Sequence, residues 1–264
     1  MTSAFRPDLL AGKTAFVAGG TSGINLGIAK RYAELGAKVA VLGRNPEKAQ
    51  NAAKEIGHGA MALTADVRDF AATKAAMDQV VEAFGKLDIV VSGAAGNFLA
   101  PAMGMSANAF KAVVDIDLLG TFNVFRGCYD LLNKPGASLI AITAGQADNP
   151  SPLQIHACAA KAGVNQVIRV LAMEWGPDVR VNGISPGPIA GTEGMSRLAP
   201  GATSSGVHER IALKRWGEIG EVAESAVFLS SSSAAYITGI ILECDGGSGL
   251  GDASRRDLTR GMMA

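Results

Sequence analysis

Residues 14–23 read TAFVAGGTSG, an apolar run that passes directly into a glycine-rich turn. The uninterrupted apolar stretch Thr14–Ala18 predicts a buried strand. A helical pattern follows the turn, runs to Leu35 and stops at Gly36. Glycine allows close approach of the backbone to a ligand, and a helix N-terminus presents free N–H groups. This strand–turn–helix unit therefore predicts an anion-binding turn at the start of an α/β fold.

The same alternation of strand and helix continues along the chain. Further runs predict strands at Lys38–Leu42, Ala60–Thr64, Leu87–Val91, Ser138–Ile142, Val179–Ile184 and Ile240–Glu243. Helical patterns lie at about 70–84, 106–132, 154–175 and 220–230, and another begins at Asn45-Pro46. Asn45 and Ser106 are predicted N-caps. Strands separated by helices of this length form parallel sheets. We therefore predict one doubly wound, Rossmann-type α/β domain over residues 1–264, with a seven-stranded parallel sheet.

One long segment, residues 186–214, is rich in Gly, Ser and Pro. Loops of this length in a compact domain are usually lids or binding loops. In a doubly wound sheet the ligand lies at the carboxyl ends of the strands. We therefore expect this loop to cover a substrate or a cofactor.

Composition excludes several classes of protein. Lys plus Arg and Asp plus Glu are 24 each, so the formal net charge is zero, which favours neither nucleic-acid nor membrane-surface binding. With 48% hydrophobic residues, the chain is too apolar for disorder. Cys128, Cys158 and Cys244 have no zinc-site or disulfide spacing, and we expect no metal. No signal-peptide pattern or S-K-L-type ending is seen, which predicts a cytoplasmic protein.

The end of the second predicted strand bears on the choice of cofactor. An NAD-binding site would place Asp or Glu here to bind the ribose hydroxyls. This chain reads VLGRN, with Arg44 and no acidic residue. A guanidinium pairs well with the 2′-phosphate of NADPH. Arg44 therefore predicts NADPH, although a solvated arginine at a strand end is the alternative.

In this context the Gly19-x-x-x-Gly23 spacing resembles the short-chain dehydrogenase/reductase family. The family usually continues Gly-Ile-Gly, whereas this chain has Gly23-Ile24-Asn25. Because Asn tolerates left-handed backbone, the turn is expected to survive. The resemblance implies a set of cofactor-binding residues: Gly19, Thr21, Ser22, Gly23, Ile24, Arg44, Asp66, Val67, Ala94, Gly96, Lys161, Pro186, Gly187, Ile189 and Thr192.

Members of that family carry an Asn–Ser–Tyr–Lys set, with Tyr four residues before Lys on one helix. Lys161 is present, but Ala157 takes the tyrosine position, Ala144 the serine position and Asp117 the asparagine position. Carbonyl reduction with tyrosine as proton donor is therefore not expected. Asp117 and Lys161 are instead predicted to polarise a water that protonates carbon. The alternatives are that Asp117 braces a helix and that Lys161 only holds a ribose.

Longer segments narrow the resemblance to the 2,4-dienoyl-CoA reductase branch, and to its peroxisomal form. They are AAGNFLAPA, ANAFKAVVDIDLLGTFNV, LQIHACAAKAGV, LAMEWGPDVRVN and SPGPIAGTEGMSRL, within roughly residues 12–247. The resemblance implies NADPH-dependent reduction of 2,4-dienoyl-CoA thioesters to 3-enoyl-CoA by a homotetramer. Asp117 and Lys161 carry over as its catalytic pair. The alternatives are another NADPH-dependent short-chain reductase and a nucleotide-binding protein without turnover.

Further polar and aromatic residues fall on the predicted substrate side. Asn97, just past the AAG turn, either orients the substrate or stabilises the turn, and Phe98 lies beside it. Arg197 is a candidate for the phosphates of CoA, with a solvated surface as the alternative; Arg210, Lys214 and Arg215 share both interpretations. His156 and Cys158 flank Ala157, and helix geometry turns them away from the Lys161 face. For these two we predict core packing.

Overall fold

The first strand, β1 (Thr14–Ala18), is buried at all five residues, as its apolar run predicts. A computed structural model describes residues 4–194 and 207–251. Six more strands join β1 in one sheet: β2 (Lys38–Gly43), β3 (Met61–Thr64), β4 (Ile89–Ser92), β5 (Ala137–Ile142), β6 (Val179–Pro186) and β7 (Ile241–Cys244). Neighbouring strands pair in parallel in the order β3-β2-β1-β4-β5-β6-β7. The predicted seven-stranded parallel sheet is confirmed.

Helices cover both faces of this sheet. They are α1 (Gly23–Glu34), α2 (Pro46–Ile56), α3 (Phe70–Phe84), α4 (Ala107–Val114), α5 (Gly120–Cys128), α6 (Ile155–Trp175) and α7 (Ile219–Ser230). One core cluster joins α1, α2 and α7 to one face through residues such as Ile28, Ile56 and Val222. A second joins α3, α5 and α6 to the other face, through residues such as Met77 and Phe125. The order reverses between β1 and β4, which opens a crevice at the carboxyl ends of the strands.

Local sequence accounts for where several helices begin. The Asn45 side chain accepts a hydrogen bond from the Lys48 N–H at 2.9 Å, and Pro46 takes the first helical position. The Ser106 hydroxyl accepts from the Ala109 N–H at 3.1 Å. Both side chains satisfy N–H groups that a helix end leaves free. Both predicted N-caps are therefore confirmed.

The predicted helix over 106–132 is wrong as a single element. It divides into α4, a π-turn at Asp115–Leu119, α5 and a short 3₁₀ turn at Tyr129–Leu131. Within the π-turn the Gly120 N–H donates to the Asp115 carbonyl, five residues back. A Cβ on Gly120 would lie 2.6 Å from Val67 Cγ2, so glycine lets the turn pack closely. The π-turn contains Asp117, which is 1% exposed.

Residues 195–206 lie outside the described part of the chain. The lid at 186–214 and the single domain over 1–264 therefore stay predictions. Within residues 4–194 and 207–251, the structure has no helix with the length and apolar character needed to span a membrane.

Candidate active site

The glycine turn after β1 has the backbone geometry of an anion-binding turn. Gly19 has φ +76° and Gly23 has φ +55°, values in the left-handed region that favours glycine. Ser22 takes the N-cap position of α1 in extended backbone, and its side chain caps no N–H of the first turn. The first N–H groups of α1 are thus left for a bound anion.

Gly19 is expected to tolerate no side chain. A Cβ there would lie 2.7 Å from the Ala94 backbone nitrogen, in addition to the strain of the positive φ. Gly59 has a similar φ of +73° but open space around it, so Gly59→Ala measures the strain alone. We expect Gly59→Ala to lower the free energy of unfolding by about 1 kcal/mol and Gly19→Ala by about 2–4 kcal/mol. If urea unfolding shows the same loss of unfolding free energy for both variants, the close approach of the Gly19 turn to Ala94 is contradicted.

A cleft of about 620 Å³ opens beside this turn, along the carboxyl ends of β1 to β5. The structure brings twelve of the predicted cofactor-binding residues to its wall: Gly19, Thr21, Ser22, Gly23, Ile24, Arg44, Asp66, Val67, Ala94, Gly96, Lys161 and Thr192. Residues that the sequence reasoning did not include also line it, among them Lys48 and Glu193, whose charged groups approach to 3.9 Å. The turns after five strands thus share one binding space.

Three predicted cofactor residues do not line the cleft in the described part of the chain. The Gly187 N–H donates to the Cys244 carbonyl at 3.0 Å, and a Cβ on Gly187 would lie 2.6 Å from Asp245 Cα. Ile189 is 2% exposed and forms a bridge with Gly217. Pro186, Gly187 and Ile189 therefore anchor the base of the loop against β7 and the core. Arg197 lies outside the described residues, so its predicted contact with CoA is not placed.

Arg44 and Asp66 face the β2–β3 end of the cleft. Asp66 accepts hydrogen bonds from the Arg68 side chain at 2.6 and 3.0 Å. These hydrogen bonds are the main reason that the pKa of the Asp66 carboxyl lies below its ordinary value, and the charge of Arg44 contributes. Arg44 itself donates no hydrogen bond to any residue within 4–194 and 207–251. Its guanidinium is therefore available to an anion in the cleft.

Asp117 and Lys161 form a buried ion pair on the cleft wall. Lys161 Nζ lies 3.2 Å from Asp117 Oδ2 and donates to the Ile142 carbonyl at 3.0 Å. Asp117 Oδ1 accepts from the Gly96 N–H at 2.7 Å. The two residues are 1% and 7% exposed. One carboxylate oxygen thus braces the turn after β4, not a helix as in the predicted alternative, while the other faces the ammonium. The catalytic role of the pair stays a prediction.

The rest of this wall lacks a phenol. Ala144 and Ala157 both line the cleft, and they present methyl groups where the serine and tyrosine positions lie. All three tyrosines fall in the described ranges, and none of them lines the cleft. Tyr32 is fully buried beside Ser230, and burial raises the pKa of its hydroxyl. Within the described ranges, the cleft wall thus offers no phenol for acid–base chemistry.

Asn97 joins a small amide cluster on the cleft wall. Its Nδ2 donates to Gln154 Oε1 at 2.7 Å, and Gln146 Nε2 approaches the same oxygen at 3.4 Å. Asn97 Oδ1 is buried and has no hydrogen-bond partner among the described residues. Gln154 was not predicted, because an amide at a helix N-cap position carries no chemical signature of its own. The cluster supports a turn-stabilising role for Asn97 and leaves its oxygen for a ligand.

Phe98 and His156 pack against one another away from the cleft wall. Their rings meet edge to face with centroids 4.3 Å apart, and His156 is fully buried. Core packing of His156 is confirmed by this burial. Phe98 is 38% exposed and does not line the described cleft, which leaves its predicted substrate contact unplaced. Cys158 is partly buried, with its Sγ 3.9 Å from the Ser151 carbonyl.

One basic residue proposed for CoA has an internal partner. Arg215 donates to both carboxylate oxygens of Glu221, at 2.6 and 2.9 Å. Glu221 also accepts from the Glu218 N–H at 2.8 Å in the capping box that begins α7. These hydrogen bonds, led by those from Arg215, lower the pKa of Glu221 to about 2. The geometry therefore favours a structural role for Arg215.

Asn25 lies in helical backbone at the start of α1, and its φ is not positive. The expectation that the glycine turn accommodates Asn25 through a left-handed backbone conformation is therefore wrong. Its side chain fits because the neighbouring residue after β4 is Gly93, whose Cβ position the Asn25 amide occupies.

Comparison with known proteins gives a consistent set of relatives. A family model described as enoyl-(acyl carrier protein) reductase matches residues 18–249. The peroxisomal 2,4-dienoyl-CoA reductase of Rattus norvegicus is 45% identical over 92% of this chain and 86% of its own length. The corresponding enzyme of Danio rerio is 40% identical over 100% of this chain and 90% of its own. A crystal structure of a short chain dehydrogenase from Bacillus anthracis is 35% identical, covers 90% of this chain and 96% of that one, and has a TM-score of 0.80.

These relatives correct the predicted location. Both enzymes are named as peroxisomal, so the ending RGMMA is no ground for a cytoplasmic assignment, and that prediction is wrong. The family-model match over residues 18–249, the parallel sheet and the similar crystal structure all indicate the same family. The chain belongs to the short-chain dehydrogenase/reductase family of oxidoreductases.

Proposed function

We propose that this chain reduces 2,4-dienoyl-CoA thioesters to 3-enoyl-CoA with NADPH. The observation that carries the proposal is the buried Asp117–Lys161 pair, which lines the same cleft as the methyl groups of Ala144 and Ala157. Such a wall offers an ion pair that can hold water but offers no phenol, and it suits proton delivery to carbon. The names of the relatives, which describe (3E)-enoyl-CoA-producing reductases, support the same chemistry.

The cleft fits a dinucleotide in size and in donors. Its volume of about 620 Å³ lies within the range of cofactor sites. The backbone of the Gly19–Gly23 turn would hold the diphosphate, and the guanidinium of Arg44 would hold the 2′-phosphate. When bound, NADPH supplies the hydride that reaches the δ-carbon of the substrate.

Asp117 and Lys161 then take part in delivering a proton to the reduced substrate. Reduction at the δ-carbon leaves an extended dienolate on the substrate, with its charge on the thioester oxygen. Water held beside Asp117 Oδ2 and Lys161 Nζ, which are themselves 3.2 Å apart, protonates the α-carbon, which leaves one double bond between the β- and γ-carbons. Lys161 returns a proton to the hydroxide left behind, and solvent reprotonates Lys161. The Asp117 carboxylate holds the Lys161 ammonium beside the cleft at 3.2 Å.

Turnover with three thioesters tests the proposal directly. NADPH oxidation is followed with 2,4-hexadienoyl-CoA, crotonyl-CoA and acetoacetyl-CoA. We expect oxidation with the dienoyl thioester and little with the other two, because the wall offers no phenol to a ketone oxygen. Reduction of acetoacetyl-CoA at a comparable rate would indicate a carbonyl reductase. NADPH binding without oxidation by any of the three would indicate a nucleotide-binding protein without turnover.

We also propose that the protein acts as a homotetramer. Large apolar side chains are exposed on α5 and α6, with Phe122 at 44%, Val170 at 49% and Met173 at 85%. Exposed apolar residues on neighbouring helices are typical of subunit interfaces. Light scattering on the purified protein should give four times the chain mass of 27.0 kDa. A mass that stays at one chain would contradict this assembly.

A further inference from the structure

Asn25 connects the two turns that form the centre of the cleft. It lies in the first turn of α1, is 9% exposed and lines the cleft. Its Nδ2 donates to the carbonyl of Gly93 at 2.8 Å. This hydrogen bond joins the phosphate-binding turn after β1 to the turn after β4.

Gly93 provides the space that Asn25 occupies. A Cβ on Gly93 would lie 2.2 Å from Asn25 Oδ1 and 2.5 Å from its Cγ. Because the φ of Gly93 is not positive, glycine is required here for space and not for conformation. Asn25 and Gly93 therefore form a matched pair, in which the larger residue on α1 depends on the absence of a side chain after β4.

The second polar atom of the amide has no partner. Asn25 Oδ1 is buried and accepts no hydrogen bond from any residue described in ranges 4–194 and 207–251. A buried acceptor without a donor is unfavourable, and such atoms in native structures are rare. Because the side chain lines the cleft, a rotation of the amide would bring this oxygen to a donor bound there.

The position of Asn25 indicates which part of a dinucleotide carries that donor. In the sheet, β4 lies on the side of β1 away from β2 and Arg44, and next to β5 and Lys161. We propose that Asn25 is a positioning residue whose Oδ1 accepts a hydrogen bond from a hydroxyl or amide N–H of the nicotinamide half of the cofactor. This inference rests on the nicotinamide cofactor of the proposed function, but not on the identity of its thioester.

Direct binding measurements separate the two halves of the cofactor. Titration calorimetry compares NADPH with 2′,5′-ADP, which lacks the nicotinamide half, on the wild type and on Asn25→Gly. We expect the Kd for NADPH to rise about fivefold, the effect of one neutral hydrogen bond, while that for 2′,5′-ADP is unchanged. A merely structural role would weaken both ligands alike or neither. Either of those results overturns the proposal.

A double-mutant cycle tests the matched pair independently. Gly93→Ala alone should lower the melting temperature and weaken NADPH binding, since its methyl group meets the Asn25 amide. Adding Asn25→Gly should restore the melting temperature but not the affinity for NADPH. If Gly93→Ala is as stable as the wild type, or if the double variant regains full affinity, the pairing is wrong.

The outcomes also separate this inference from the proposed function. Protein that fails to oxidise NADPH with dienoyl-CoA, yet shows the expected Asn25→Gly pattern, retains the inference and loses the thioester assignment. If the wild type binds NADH more tightly than NADPH, the same comparison is made with NADH and 5′-AMP. If Asn25→Gly weakens the binding of NADH alone, the proposed role of Asn25 is supported. If it weakens NADH and 5′-AMP equally, that role is contradicted.

Discussion

Asp117→Asn is expected to lower kcat with 2,4-hexadienoyl-CoA by about 10²–10⁴-fold, the usual contribution of a positioned acid–base group. The amide keeps an oxygen for the Gly96 N–H, now at 2.7 Å, but it loses the charge that faces Lys161 Nζ at 3.2 Å. Lys161 is then a buried ammonium without its counterion, and the water loses one of the two charged groups that hold it. Steady-state kinetics and NADPH titration together show whether turnover falls while cofactor binding persists.

Asp115→Asn is the matched control for this variant. Asp115 lies in the same π-turn, but it is paired with Lys111 on the surface side. We expect its kcat to stay within about twofold of wild type, since exposed ion pairs contribute little. Circular dichroism and melting temperature check that both variants fold. Full turnover by Asp117→Asn, or by the double variant Asp117→Ala, Lys161→Ala, would exclude the pair from catalysis.

Arg44→Ser is expected to raise the Kd for NADPH by about 10–100-fold, because charged hydrogen bonds to a phosphate contribute about 1.5–3 kcal/mol. Binding of NADH, which lacks the 2′-phosphate, should change little. The difference should shrink at high ionic strength, because Arg44 is exposed and its charge is screened. Fluorescence titration of both nucleotides at low and high salt measures these changes.

Arg68→Ser is the control for Arg44. The Arg68 guanidinium is engaged by Asp66 at 2.6 Å and does not line the cleft within the described residues. We expect only a small change in its Kd for NADPH. If Arg44→Ser weakens NADH as much as NADPH, then Arg44 supports the fold of the turn and the assignment of NADPH loses its basis.

The strands and most helices were predictable because their signals are local. The run TAFVA at 14–18 can only be buried, and Asn45-Pro46 and Ser106 mark helix starts through hydrogen bonds within four residues. The π-turn was not predictable in the same way, since DIDLL is an ordinary helical sequence. Gly120 lets this turn approach Val67, which is distant in the chain, so local sequence alone does not reveal the packing.

The candidate site likewise has a part that local sequence predicts and a part that depends on contacts between distant residues. Much of the cleft wall follows from spacing, because the glycine turn, Arg44, Asp66 and Ala94 each come just after a strand, whereas Lys161 lies within α6. Family resemblance implies that Pro186, Gly187 and Ile189 bind the cofactor, which stays a prediction; in the structure they pack against β7 and the core. The fit of Asn25 over Gly93 depends on two turns 68 residues apart, and no local pattern reveals it. Such contacts between distant parts of the chain cannot be predicted from the local sequence.

The fate of the solvent proton tests the proton-delivery mechanism most directly. The wild type is given NADPH and 2,4-hexadienoyl-CoA in D₂O, and the product is quenched and analysed by NMR. The water held by Asp117 and Lys161 predicts 3-enoyl-CoA with one deuterium on the α-carbon and none on the δ-carbon. A 2-enoyl product with deuterium on the γ-carbon, or an α-carbon without deuterium, would contradict it.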